Sequence, residues 1–303
     1  MATVDPTTLE ERVPPLAALA VAVGAVSTSA ILVRWSGAPS LVKAFYRVVF
    51  TTLLLLPLAV RRQRDRRAFA RLGRRDGLVA VASGVALAVH FAAWFESLRW
   101  TSVAASVTLV QSQPVFVAVG AWALLDERVT PRIVAGIGVA VVGMATLSFT
   151  GGTGAVATPR PLLGNGLAVV GALAYTGYVL AGRSLRQRIP VLPYVIVVYG
   201  VCAAVLGVVA AARGHALLGY PPSEWLLFLG MAVGPGVFGH TVVNWALAHV
   251  RSSVVSVSLV GEPVGSTVLA AVLLAEIPTA GTVIGGCLAL AGIAVTASAR
   301  REE

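Results

Sequence analysis

The chain has 303 residues, of which 57% are hydrophobic and only 12% charged, and its net charge is +10. A soluble domain carries roughly 25% charged residues, so this supply cannot cover a water-facing surface, and the composition defines a polytopic membrane protein. The positive charge does not signal nucleic acid: the Arg residues lie in short segments between apolar runs, where they set orientation and meet anionic lipid.

In chain order, Met1 to Val13 carries Asp5, Glu10 and Glu11 against one Arg. It lacks the basic n-region of a signal peptide, and residues 1–15 read as a short cytoplasmic leader. A bilayer core needs roughly 20 apolar residues per helix. Ten such runs follow, at about 16–33, 41–60, 77–98, 103–125, 133–149, 162–182, 191–212, 225–247, 254–275 and 280–299. Their breaks are rich in Gly, Pro and Arg. Runs 3 and 4 join through only Arg99–Ser102, which predicts a tight helical hairpin, and His249–Ser253 repeats that joint between runs 8 and 9.

The fourth run occurs twice. Ser102–Val110 reappears as Ser252–Val260, and after a one-residue slip Pro114 matches Pro263, Glu127 matches Glu276 and Thr130 matches Thr279 at an offset of 149. Gly136/Gly285 and Gly143/Gly292 keep the same offset. The expected architecture is therefore all-α, with ten transmembrane helices as two five-helix repeats, at 16–149 and 162–299. Residues 150–161 link them, and 300–303 form a cytoplasmic tail. With the N-terminus inside, cytoplasmic segments hold 17 of the 23 Arg and Lys residues and outer segments hold 5. That asymmetry predicts cytoplasmic N- and C-termini in the cell membrane. Five spans per repeat force the second copy to enter from the opposite side. Inverted repeats are the design of alternating-access transporters.

Ionisable groups inside a span cost at least a few kcal/mol by insertion scales, so each is a functional candidate. Glu262 lies between Gly261 and Pro263 and shares an i, i+4, i+8 face with Ser258 and Ser266. It reads as a substrate- or proton-binding carboxylate, or as a helix-packing Glu bonded to a neighbour. Its counterpart is Gln113. His90 and Trp94 match His240 and Asn244 at an offset of 150. Each pair is i, i+4 on one helix face, so both point to a central cavity or to interhelical hydrogen bonds. Tyr175 and Tyr178, with Ser27, Thr28 and Ser29, line a cavity or simply pack. Arg47 and Glu96 are expected to pair, unless Arg47 receives an anionic substrate group. Gly234-Pro-Gly236 predicts a kink, and the repeated glycines predict close helix contacts. Cys202 and Cys287 lie in apolar runs as packed thiols. No Cys/His cluster suggests a metal, and no cofactor is expected.

Phe45-Tyr-Arg47, Gln113-Pro-Val-Phe116 through Leu124-Leu-Asp-Glu127, Glu262-Pro263 and Leu274-Ala-Glu276 resemble the drug/metabolite transporter superfamily in its ten-helix EamA-like form. The resemblance covers about residues 15–299. It implies two bundles around a central cavity, with the fifth and tenth helices packed outside. It also implies export or exchange of small metabolites or drug-like solutes, and a structural role for Glu127 and Glu276 at helix ends.

The expected function is thus a secondary transporter of a small organic solute. With no G-x-x-x-x-G-K-[ST] run, energy comes from an ion gradient or from the solute's own. An intramembrane enzyme with His90 and His240 as acid–base groups is the alternative, but no H-E-x-x-H or G-x-S-x-G occurs. A non-transporting scaffold is the third class. The expected partners are the solute and anionic lipid at the Arg-rich 61–76 segment, in a monomer or homodimer.

Overall fold

The computed structural model describes residues 14–61, 65, 73–113, 115–116, 119, 130–150, 160–186, 189–242, 259 and 261–299. Residues 1–13 of the leader, most of the Arg-rich segment, Glu127, Asn244, the 249–253 joint and Ser258 lie outside these residues. Among the described residues every regular element is a helix, and each falls in one of the apolar runs. They are α1 Pro15–Ser27, α2 Ser29–Trp35, α3 Ser40–Arg61, α4 Arg74–Trp100, α5 Val103–Val110, α6 Pro131–Thr150, α7 Pro161–Arg186, α8 Val191–Ala212, α9 Pro222–Met231, α10 Gly261–Leu273 and α11 Ala280–Ala299. A π-helical stretch, Ala232–Thr241, continues α9. Among the described residues, five helices are long and apolar enough to cross a bilayer: the joined α1–α2, α3, α4, α7 and α8.

The helix starts are chemically specified. Pro15, Pro131, Pro161 and Pro222 open their helices, at positions whose N–H would be unpaired anyway. The matched threonines of the repeat are N-caps. Thr130 Oγ1 accepts Ile133 N–H at 3.3 Å, and Thr279 Oγ1 accepts Thr282 N–H at 3.1 Å. Such a cap typically contributes about 1 kcal/mol. Ser102, the last residue of the expected joint after α4, caps α5 by accepting from Ala105 N–H at 3.2 Å.

Gly234-Pro-Gly236 does not break its helix. Pro235 withholds an N–H, and the backbone widens into the π-helical stretch, with Thr241 Oγ1 donating to Gly236 O at 3.2 Å. The glycines let neighbours press on this backbone. A Cβ on Gly236 would stand 2.5 Å from Thr51 Oγ1, and one on Gly239 2.5 Å from Val26 Cγ1.

The strongest pairings between the halves follow the repeat. α4 packs on α7, and the equivalent pair is α1 with the π-helical stretch. α5–α7 corresponds to α1–α10, and α4–α8 corresponds to α3 with the π-helical stretch. The pairs α3–α8, α5–α10 and α6–α11 map onto themselves. In α6–α11 the repeated glycines sit at the crossing. A Cβ on Gly143 would lie 2.2 Å from Ala289 N, and one on Gly292 2.3 Å from Ala140 N. One buried cluster draws Ile31, Val48, Phe91, Phe95, Val107, Leu206 and Met231 from both halves. Its cohesion is dispersion and close packing, because lipid tails are as apolar as the side chains they replace. Leu53, Leu58, Val142, Leu226 and Val272 are exposed, as a lipid-facing surface requires.

Candidate functional site

The central polar layer begins where the first span is interrupted. Thr28 Oγ1 and its own N–H both return to Ala25 O, at 2.7 and 3.2 Å. Hydroxyls bonding back in this way compete with the helix ladder, and α1 ends at Ser27. The interruption faces α10. Ser266 Oγ donates to Ser27 O at 3.0 Å, Ser27 Oγ lies 3.4 Å from Glu262 O, and a Cβ on Gly265 would lie 2.3 Å from Ser27 Oγ. The small residues of the two elements thus meet backbone to backbone.

Glu262 is buried, and its Oε2 accepts from Gln111 Nε2 at 2.8 Å. Gln111 Oε1 in turn accepts from Gln113 Nε2. The two repeat-related positions, 113 and 262, are therefore joined through Gln111, which the sequence reading did not single out. The only available signal was the polar Gln111-Ser-Gln113 run inside apolar sequence. Thr176 Oγ1 lies 3.5 Å from Gln113 O and ties this chain to α7.

His90 Nδ1 lies 2.9 Å from Gly171 O. A carbonyl only accepts, so Nδ1 carries the proton and Nε2 is left as an acceptor in the neutral ring. The ring packs 4.9 Å from Tyr175 and 5.8 Å from Trp94, and Tyr175 stands 5.1 Å from Tyr178. His90, Trp94, Tyr175 and Tyr178 thus form one aromatic wall between α4 and α7. His240, on the π-helical stretch, is within electrostatic reach of both Arg47 and His90. Its expected neighbour Asn244 lies outside the described residues.

The expected Arg47–Glu96 ion pair does not form. Arg47 is buried at 2% exposure, and its Nη1 donates to Ser29 Oγ at 2.9 Å. Its Cζ lies 4.6 Å from the Phe91 ring centre, 5.6 Å from Phe95 and 5.9 Å from Trp94. Glu96 instead accepts from Trp100 Nε1 at 2.9 Å and lies 3.6 Å from Arg99. The reason is depth: Lys43, one turn before Arg47, is the α3 cation in reach of Glu96.

Nearer that end of the bundle a vestibule of about 450 Å³ opens, lined by Arg34, Ser36, Lys43, Phe95, Arg99 and His215 among others. Buried Lys43 donates to Val33 O at 2.9 Å. Its walls are latched between the halves. Arg34 Nη2 pairs with Glu276 Oε1, and Glu276 Oε2 accepts Val103 N–H at 2.9 Å, capping α5. Glu224 accepts from Ser36 Oγ and from Gly37 N–H, the latter at 2.7 Å. Thr101 Oγ1 meets Asn165 Oδ1 at 2.7 Å. The sequence reading used Arg34 and Lys43 only to count charge, and gave Glu224 no role.

A helical bundle with a lipid-facing surface, repeat-related packing and a buried polar layer beneath a charged vestibule is that of a multi-pass membrane transporter. The comparisons make the class specific. The profile of the EamA-like transporter family matches residues 14–149 and 162–298, both halves of the chain. The chain belongs to the EamA-like transporter family. A protein of Archaeoglobus fulgidus described as an uncharacterized transporter is 25% identical over 263 residues, spanning 86% of this chain and 88% of its own length. A solved crystal structure shares the fold with a TM-score of 0.64 at 21% identity, covering 95% of this chain and 98% of that one.

Proposed function

We propose that the chain is a secondary transporter that moves a small organic metabolite or drug-like solute across the cell membrane by alternating access, as an exporter or exchanger. In this reading it has ten spans, the halves are inverted, and both termini are cytoplasmic. The observation that carries the reading is the packing between the halves, whose strongest pairs either map onto themselves or recur when each helix is exchanged for its counterpart in the other half. Opposed insertion is supported at the vestibule. There the end of α2 and the turn after α4, through Arg34 and Thr101, meet the start of α7 and the segment after α10, through Asn165 and Glu276. Equivalent helices reach this end by opposite termini. Two such halves can rock about a fixed midplane site. His90, Trp94, Gln113, Tyr175, Tyr178, His240, Asn244 and Glu262, with Arg47, are the residues proposed to line that site. The Arg-rich 61–76 segment is proposed to meet anionic headgroups.

The test is counterflow in liposomes holding the purified chain, with a panel of labelled amino acids, sugars and small aromatic acids. Transient accumulation of at least one solute above its external concentration is the expected result. Chemical conversion of a solute without net movement would replace transport by catalysis.

A further inference from the structure

Arg47 has five N–H donors, and among the described residues its hydrogen bonding is the single bond to Ser29 Oγ, with no carboxylate forming an ion pair to it. A buried cation with so little compensation is costly, and aromatic faces return only part of that cost. One indole away, Trp94 Nε1 is also buried with no hydrogen-bond partner among the described residues. Both groups are donors, both side chains pack on the Phe95 ring, and Arg47 Cζ lies 5.9 Å from the Trp94 ring centre. A guanidinium with a single hydrogen bond beside an indole N–H with none defines a place for an acceptor group that the protein does not supply.

The approach to it is also charged. Lys43 and Arg47 are i and i+4 on α3, one face and one turn apart, and Lys43 lines the vestibule with Arg34, Arg99 and His215. Phe95 lines the vestibule as well, while its ring lies 5.6 Å from Arg47 Cζ. The vestibule cations and the buried Arg47 guanidinium therefore share the Phe95 ring as a common neighbour. Such a lining concentrates anions.

We propose that Arg47 and the Trp94 indole N–H receive the carboxylate of a small, largely apolar solute that enters from the vestibule past Phe95. This rests on the transport reading above. The guanidinium fork matches a carboxylate in geometry, and its single charge suits a monoanionic group better than a phosphate dianion. The rings of Phe91, Phe95 and Tyr175 offer the apolar and aromatic contacts for the remainder.

The experiment titrates purified full-length protein by thermal shift with benzoate, phenylacetate, 4-phenylbutyrate and phenylalanine, each beside its carboxamide, and with phenyl phosphate. At least one carboxylate is expected to raise the apparent melting temperature in a saturable way, its amide to bind at least tenfold more weakly, and phenyl phosphate to bind more weakly still. Trp94→Phe keeps an aromatic ring beside Arg47 and removes the N–H together with one ring of the indole. It is expected to weaken the carboxylate about tenfold, as befits one lost bond to a charged group, and to lower the ligand-free melting temperature only by the cavity that the smaller ring leaves. Arg47→Lys keeps the charge, loses the fork and is expected to weaken binding further. The proposal is overturned if no carboxylate binds, if acid and amide bind alike, if phenyl phosphate binds more tightly, or if Trp94→Phe binds as the parent does. Counterflow of other solutes without carboxylate binding would sink the receptor and spare transport; carboxylate binding without flux of any solute would do the reverse.

Discussion

Glu276 serves two partners with one carboxylate: the Arg34 guanidinium and the first N–H of α5. The two contacts anchor the end of α2 and the start of α5 to the segment after α10. The backbone bends to deliver it. Ala275 takes φ 55, and Glu276 N–H returns to Ala270 O at 3.1 Å. Removing one member of a buried pair leaves the other uncompensated. Glu276→Gln is therefore expected to lower stability by about 2–3 kcal/mol, and Arg34→Met added to it should recover part of that loss in a double-mutant cycle followed by unfolding in detergent. Additive effects would show that the pair is not coupled. Ala275→Gly acts the other way. A left-handed alanine costs roughly 1–2 kcal/mol, while glycine loosens the unfolded chain by about 0.4–1 kcal/mol, so a gain of about 0.5–1 kcal/mol is expected in the same assay. The helix-end role of Glu276 was legible as what the family resemblance implies for the matched pair Glu127 and Glu276. Its partners were not, since Arg34 lies 242 residues away in sequence. Arg47 failed for a related reason. Its burial and membrane depth could be read, but one helical turn separates it from the level of Glu96, and apolar run boundaries carry no such resolution.

Among the elements, α6 and α11 show most directly how composition becomes geometry. Their glycines recur at one offset, and the close approach they permit is what the sequence pattern predicted. Adding a methyl at Gly143 would put it 2.2 Å from backbone Ala289 N, whereas nothing lies within 4 Å of a Cβ on Gly138 of the same helix. Gly143→Ala must push two backbones apart and is expected to cost about 1–3 kcal/mol or more. Gly138→Ala only relieves glycine's helical entropy and should gain about 0.5–1 kcal/mol. Thermal unfolding of the two variants side by side checks the pair, and equal effects would mean that the crossing does not depend on Gly143. The π-helical stretch was less legible. Gly-Pro-Gly announces an irregularity, but a kink and a widened turn share that signature. What selects the wide turn is the tertiary demand that Thr51 and Val26 approach Gly236 and Gly239.

At the scale of the whole molecule, the recurring run announced two related halves, and the family match covers both. The vestibule escaped the sequence reading because it is assembled from segments that meet only in three dimensions: the α2–α3 turn, the end of α4 and the loop after α8. Its place in the membrane is testable without knowing the solute. In a background with Cys202→Ala and Cys287→Ala, single cysteines replace His215 in the vestibule and Arg67 in the Arg-rich segment. An impermeant maleimide added to intact cells is expected to label His215→Cys, and to label Arg67→Cys only after permeabilisation. Labelling of both from one side would overturn the opposed ends, and the reverse pattern would overturn cytoplasmic termini. Alternating access adds a kinetic consequence. If the halves rock, a saturating transported solute shifts the population between the two facing states, so the His215→Cys labelling rate should change with solute and stay constant with a non-transported analogue. An unchanged rate under active counterflow would mean that the vestibule does not close during transport.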